Sequence, residues 1–205
     1  MSFVHSLTVL ALALFTLFHG GSALAEGLPV PKVEYSADRV IESERGAMTH
    51  KVHHAGLKER SEMQMGGMAS VMILRGDKKL AYMLMPAQKM YMEMDFTKAR
   101  EQAGGTPAEA AEITKEGTET VEGFSTTKYK LVTADKKAAG FMWFTDDGIA
   151  VKMDLLSRES AKKARMTMTL KNVQVGDQDD ALFEVPAGYT KMPGMGMNMP
   201  MPGTR

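Results

Sequence analysis

The segment that most constrains this chain runs from Met90 to Asp95, where methionines alternate with polar residues. Side chains of a β-strand point alternately to its two faces, so the methionines share one face while Glu93 and Asp95 share the other. The carboxylates belong in water, which turns the thioethers inward. The alternation therefore predicts a sheet with one methionine-rich inner face.

The same alternation recurs in other segments, and Trp143 lies in an apolar strand, where packing in the core is its commoner role. Methionine is unbranched and polarizable, so it fills an irregular core well, and the same flexibility suits a pocket that accepts varied apolar ligands. Both interpretations stay open. The predicted ligand-binding residues are Met63, Met65, Met83, Met85, Met90, Met92, Met94, Trp143, Met153, Met166 and Met168.

Short strands separated by turn residues follow one another along most of the chain. About ten strands, with turns every 8–12 residues, are typical of an antiparallel sheet curled into a barrel or half-barrel. Between Thr97 and Glu116 the period changes, and Thr106 to Glu109 carries a capping-box pattern with proline at the first helical position. We therefore expect a mainly β (α+β) half-barrel with one or two short helices that form a lid.

The two ends of the chain differ from its middle. An apolar run from Phe3 to Phe18 and a small-residue site ending at Ala25 predict a secretory signal peptide over residues 1–25. Residues 26–190 form the predicted domain, and residues 191–205, rich in Met, Pro and Gly, are expected to be a disordered tail. These boundaries predict a periplasmic or secreted protein without a stable membrane anchor after cleavage.

The composition excludes several kinds of functional site and of partner. The chain has no cysteine, which excludes disulfides, thiolate metal sites and a cysteine-linked lipid anchor. Its 25 basic and 25 acidic residues cancel, so nothing points to nucleic acid as a partner. No nucleophile elbow or phosphate-binding loop is recognisable, so we expect neither an enzyme nor a cofactor. The histidines at 50, 53 and 54 are expected at the surface.

The tail supports an alternative function. Thioether sulfur prefers Cu(I) to harder ions, and a pliable segment with closely spaced methionines could wrap one such ion. The alternative is thus a periplasmic Cu(I)-binding protein, and a third interpretation is a structural or envelope-stress protein without a ligand. The predicted metal ligands of the alternative are Met192, Met195, Met197, Met199 and Met201.

The chain also resembles the LolA/LolB-type periplasmic lipoprotein carriers, and most closely an exported family of unknown function related to them. The segments that carry this likeness are Arg75–Tyr82, Gly140–Met153 and Met166–Gly188. The resemblance implies an unclosed antiparallel barrel with short helices on its concave side and an apolar cavity for acyl chains. The leading prediction is a soluble periplasmic protein that holds a lipid, an acyl chain or a lipidated partner.

Overall fold

The computed structural model describes residues 28–44, 46–65, 67–96, 111–133, 135–157 and 164–192. Nearly all of them lie in strands and tight turns. The strands are β1 (Tyr35–Ser43), β2 (Gly46–Ala55), β3 (Lys58–Met65), β4 (Met68–Arg75), β5 (Leu80–Met85), β6 (Met90–Asp95), β7 (Ala111–Val121), β8 (Phe124–Thr133), β9 (Ala138–Phe144), β10 (Ala150–Ser157), β11 (Ala164–Val175) and β12 (Thr190–Lys191).

All strands belong to a single 12-stranded sheet in the order β12-β6-β5-β4-β3-β2-β1-β11-β10-β9-β8-β7. Two antiparallel meanders, β1 to β6 and β7 to β11, meet where β1 pairs with β11. The short β12 adds a parallel pairing to β6 at one edge. The mainly β, open sheet is confirmed, but the strand number of about ten is wrong. Sequence reasoning missed the full length of β7 and the short edge strand β12.

The predicted lid helices are not borne out where the chain can be followed. Residues 97–110, which carry the capping-box pattern, lie outside the described residues. The next residues, 111–116, are the first half of β7 and not a helix. They pair with β8, and Ile113 packs against the apolar core, so tertiary pairing overrides the helix preference of Ala111 and Glu112. The helices with described bounds are two 3-10 turns, Pro86–Gln88 and Asp180–Phe183.

One face of the sheet, which we call the inner face, carries Met83 on β5 and Met153 on β10. On β1, β2 and β8–β11 this face is closed, because its side chains pack into one apolar cluster that runs from Val52 to Leu131. Since one face buries side chains from so many strands of the same sheet, the sheet must curl around them. We call this the closed half and the inner face of β3–β6 the open half.

The opposite, outer face of β3–β6 is covered by the C-terminal segment. Phe183 is fully buried there against Ile73 and Tyr82 in a second apolar cluster. Arg75 donates hydrogen bonds to the carbonyl oxygen of Phe183, at 3.3 Å, and to the carboxylate of Glu184. The segment around Phe183 packs on the outer face only, so it does not cover the open half of the inner face.

The N-terminal described segment closes one end of the curled sheet. The amide of Lys32 donates to the carbonyl oxygen of Asp147 in the β9–β10 turn, at 2.8 Å. The neighbouring Gly148 has φ +80°, and a Cβ there would lie 2.0 Å from the carbonyl oxygen of Val30. Only glycine fits both conditions, so this turn is shaped to receive the segment. No helix among the described residues is long and apolar enough to span a membrane.

Candidate functional site

The open half presents methionines on neighbouring strands. Met83 pairs with Met72 on β4 and with Met92 on β6, and Met85 pairs with Met90. Directly paired residues of adjacent strands point to the same face, so these side chains share the inner face with Met63 and Met94. All are half-buried, and none belongs to either apolar cluster formed by the described residues. They form an apolar surface that the core does not use.

The closed half uses its methionines differently. Met153 pairs with Met142 and Met168, and Met166 pairs with Leu155. These methionines are at most 6 % exposed and belong to the large apolar cluster. They fill the core, as methionine does where the space is irregular. For Met153, Met166 and Met168 a direct ligand contact therefore stays a prediction without support from their burial.

Trp143 lies on the outer face, not on the methionine face. Its neighbour Met142 points inward, and the indole Nε1–H of Trp143 donates to the carboxylate of Glu119. The ammonium of Lys128 lies 5.1 Å from the centre of the Trp143 ring and that of Lys152 lies 4.8 Å from it. Consecutive side chains of a strand point to opposite faces, so an inward Met142 already places Trp143 on the outer face. The prediction that Trp143 lies among the inward methionines overlooked this alternation.

The other predicted ligands divide between described and undescribed residues. The backbone of Met65 ends β3, and Met192 follows β12 directly. The remaining tail methionines lie outside the described residues, as does the predicted signal peptide. Among the described residues, no group of three or more histidine or acidic side chains is arranged to hold a metal ion.

A buried polar cluster marks the border between the two halves. Arg39 on β1 forms an ion pair with Glu59 on β3, with 2.8 Å between Nη1 and Oε1. The ring of Tyr35 stacks on that of His54 at 5.1 Å between centroids, and His50 pairs with Arg39 across β1 and β2. All of these residues except His50 line, together with Pro31 and Leu170, a cavity of about 10 Å³, which is room for roughly one water molecule.

The cluster perturbs the titration of its members. Burial works to lower the pKa of Arg39, but the charge of Glu59 and the hydrogen bond to it raise that pKa overall. Burial, and then the charge of Arg39, lowers the pKa of His50. Burial followed by the charge of Glu59 raises the pKa of Tyr35. The raised pKa keeps the guanidinium of Arg39 charged inside the sheet, and the lowered pKa of His50 favours its neutral form.

Sequence reasoning missed this cluster and misplaced two histidines. His50 and His54 are buried on the inner face, so the expectation that they lie at the surface is wrong. His53 lies on the other face and contacts Gln178 at 2.8 Å. Strand alternation separates His53 from His50 and His54, as the structure shows, but no local pattern indicates that β1 and β3 bring Arg39 and Glu59 next to His50 and His54.

A larger cavity, about 520 Å³, lies away from the methionines. It is bordered by the β2–β3 turn and the C-terminal segment, and its walls include Glu34, Lys58, Arg75 and Asp180. Lys58 and Asp180 form an ion pair across it. Lys58 is paired with Asp180 and Arg75 with Glu184, and this charged lining makes the cavity a poor match for an acyl chain.

The sequence identifies the family. Residues 39–153 match the model of DUF4412, described as a domain of unknown function. The chain belongs to this family. A search of curated proteins finds no match. The prediction that the chain belongs to a family of unknown function is thereby confirmed.

Solved structures share the fold at low sequence identity. The MucA/MucB complex of Pseudomonas aeruginosa matches with a TM-score of 0.52 and 13 % identity over 77 % of this chain and 57 % of that one. A separate MucB structure gives 0.52 and 12 % over 91 % and 64 %. This chain thus spans less than two thirds of those MucB chains. An uncharacterised conserved protein of Thermus thermophilus gives 0.52 and 11 % over 91 % and 97 %.

Proposed function

We propose that this chain is an exported, non-enzymatic binding protein that holds an apolar ligand, an acyl chain or a lipidated partner, on the open half of its inner face. The observation that carries the proposal is the half-buried methionine surface of β3–β6, which neither apolar cluster of the described residues absorbs. The outer face of the same strands packs against Phe183, so these strands have a core on one side and an unused apolar surface on the other.

The energetics favour an extended apolar ligand. Burial of an acyl chain is worth about 0.8 kcal/mol per methylene, so a chain with some 12 methylenes covered gains about 10 kcal/mol before the costs of ordering it. Methionine side chains adapt their rotamers to the ligand, which suits ligands of differing length and shape. The likeness of fold agrees with a partner protein as the ligand, because MucB, which is similar in fold, has been solved as a complex with MucA.

The polar cluster at the border limits where such a ligand can lie. A chain that passed from the open half toward the closed half would meet the ion pair of Arg39 and Glu59. Hydrocarbon offers the polar atoms of this cluster no hydrogen-bond partner, so an acyl chain gains less there than on the methionine surface. We therefore place the ligand along β4–β6, between this cluster and the β12 edge.

A fluorescent fatty-acid probe tests the proposal. The mature protein should brighten the probe, and the double variant Met83→Gln/Met92→Gln should bind it at least tenfold more weakly, because each uncompensated amide costs about 1–3 kcal/mol against hydrocarbon. The matched control is Leu57→Gln, which changes a 52 % exposed residue in the β2–β3 turn and should leave binding unchanged. A native protein that does not brighten the probe, or an equal loss in the Leu57 variant, would contradict the proposal.

A further inference from the structure

A row of methionines crosses the edge of the open half from β4 to β12. Met72 pairs with Met83, and Met83 pairs with Met92. On the last strand Thr190 pairs with Met90, and the amide of Met192 donates to the carbonyl oxygen of Tyr91 at 2.8 Å. That parallel register aligns Met192 with Met92. The row therefore reaches the sheet edge in the order Met72, Met83, Met92 and Met192.

The short strand β12, which Met192 directly follows, is held in place by an ion pair on the outer face of the sheet. Lys191 pairs with Tyr91 and points to the outer face, where its ammonium lies 2.8 Å from the carboxylate of Glu93. Since side chains alternate along a strand, Thr190 and Met192 point to the inner face. The ion pair thus fixes the phase of β12 and puts Met192 on the same face of the sheet as Met92.

The spacing of the row allows its sulfurs to converge. Adjacent strands lie about 4.7–4.9 Å apart, and directly paired Cβ atoms are about 4.5–5.5 Å apart. Each methionine places its sulfur beyond Cγ on freely rotating bonds, so neighbouring sulfurs can turn toward one point between the strands. In the closed half Met153 and Met168 are locked into the core, whereas Met83, Met92 and Met192 are half-buried and reachable from solvent.

The donor set selects the ion. Thioethers are soft, uncharged ligands that favour Cu(I) over Zn²⁺, Mg²⁺ or Ca²⁺. The chain has no cysteine to compete for a soft ion, and the described residues offer no cluster of histidines and carboxylates for a harder one. The carboxylate of Glu93 points to the outer face, so the row itself consists of sulfur ligands only.

We propose that Met83, Met92 and Met192 bind one Cu(I) ion at the edge of the sheet, with Met72 next in the row. The site goes beyond the proposed function, because it takes a soft cation and uses sulfur where the apolar ligand uses only hydrocarbon surface. It also differs from the metal site predicted for the tail, since Met192 is the one methionine common to both.

The test is a competition titration of the mature, full-length protein with Cu(I), under argon and with a chromogenic Cu(I) chelator. Met92→Leu and Met192→Leu should each weaken Cu(I) binding at least roughly tenfold, because each removes a ligand from the ion. Met153→Leu, which changes a methionine of the closed half, should leave the affinity unchanged. A native protein that fails to compete with the chelator would overturn the site.

A second variant separates the sheet from the tail. Replacing Met195, Met197, Met199 and Met201 together with leucine should leave the Cu(I) affinity unchanged. If this variant loses Cu(I) while Met92→Leu keeps it, the site lies in the tail and the proposal fails. Met192 lies outside the β4–β6 surface that binds the probe, and leucine has nearly the volume and apolarity of methionine, so Met192→Leu should still bind the fatty-acid probe. Loss of Cu(I) and loss of the probe therefore report separately on this site and on the proposed function.

Discussion

Alanine substitutions at matched positions on the inner face distinguish core methionines from ligand-facing ones. Met153 is 4 % exposed and pairs with Met142 and Met168 in the closed half. Truncation to alanine there leaves a cavity in a packed cluster, and we expect the free energy of unfolding to fall by about 2–5 kcal/mol. Met83 holds the corresponding inward position in the open half but belongs to neither cluster. Met83→Ala should cost less than about 1 kcal/mol.

Urea unfolding of the mature protein measures both values. The midpoints of Met153→Ala and Met83→Ala should differ clearly while their m-values match that of the native protein, since neither substitution alters how much surface unfolding exposes. Equal losses of stability in the two variants would show that the open-half methionines are part of the core, and would refute the division of the inner face into two halves. Fatty-acid probe binding should show the reverse order, with the larger loss in Met83→Ala.

Further predictions concern the polar cluster and the N-terminal segment. Arg39→Met leaves the carboxylate of Glu59 buried without its guanidinium and should cost about 3–5 kcal/mol in urea unfolding, whereas Arg39→Met/Glu59→Leu should recover most of that loss. The pKa of His50 is lower in the folded protein than in the unfolded chain, so the unfolded state binds the proton more readily. The stability of the protein should therefore fall as the pH drops below about 6.5, where the unfolded chain begins to bind that proton. His50→Gln should flatten that part of the profile, and an unchanged slope between pH 7.5 and 5 would contradict the assignment. In Gly148→Ala a positive φ is combined with a backbone oxygen 2.0 Å from the new Cβ. In Gly56→Ala φ is +59°, but the new Cβ would meet no atom within 4 Å. The melting temperature of Gly148→Ala should therefore fall further than that of Gly56→Ala.

Local pattern was enough for the strands and their inward methionines. In β6 the alternation of methionine with Glu93 and Asp95 fixes the phase of the strand, and the Gly76–Lys79 turn fixes the hairpin that precedes it. The same local reasoning failed for residues 111–116. Ala111 and Glu112 favour a helix, but these residues pair with β8, and a short sequence window around them does not include that partner strand.

The features of the site that sequence reasoning missed all depend on distant residues. Glu59 is buried because Arg39 lies beside it from another strand, and the outer face of β4 and β5 is a core only because Phe183 returns to cover it. Met192 was assigned to a disordered tail on composition. Met192 is aligned with Met92 because β12 pairs in parallel with β6, a strand about a hundred residues earlier in the chain. Composition gives no information about a pairing between such distant segments.

Native mass spectrometry of the protein, isolated without detergent from the cells that make it, tests the central claim most directly. The protein should carry additional mass from a bound apolar ligand. That mass should be lost in Met83→Gln/Met92→Gln and kept in Leu57→Gln. A native protein with the bare mass of its mature chain, or a ligand that survives the double substitution on β5 and β6, would contradict it.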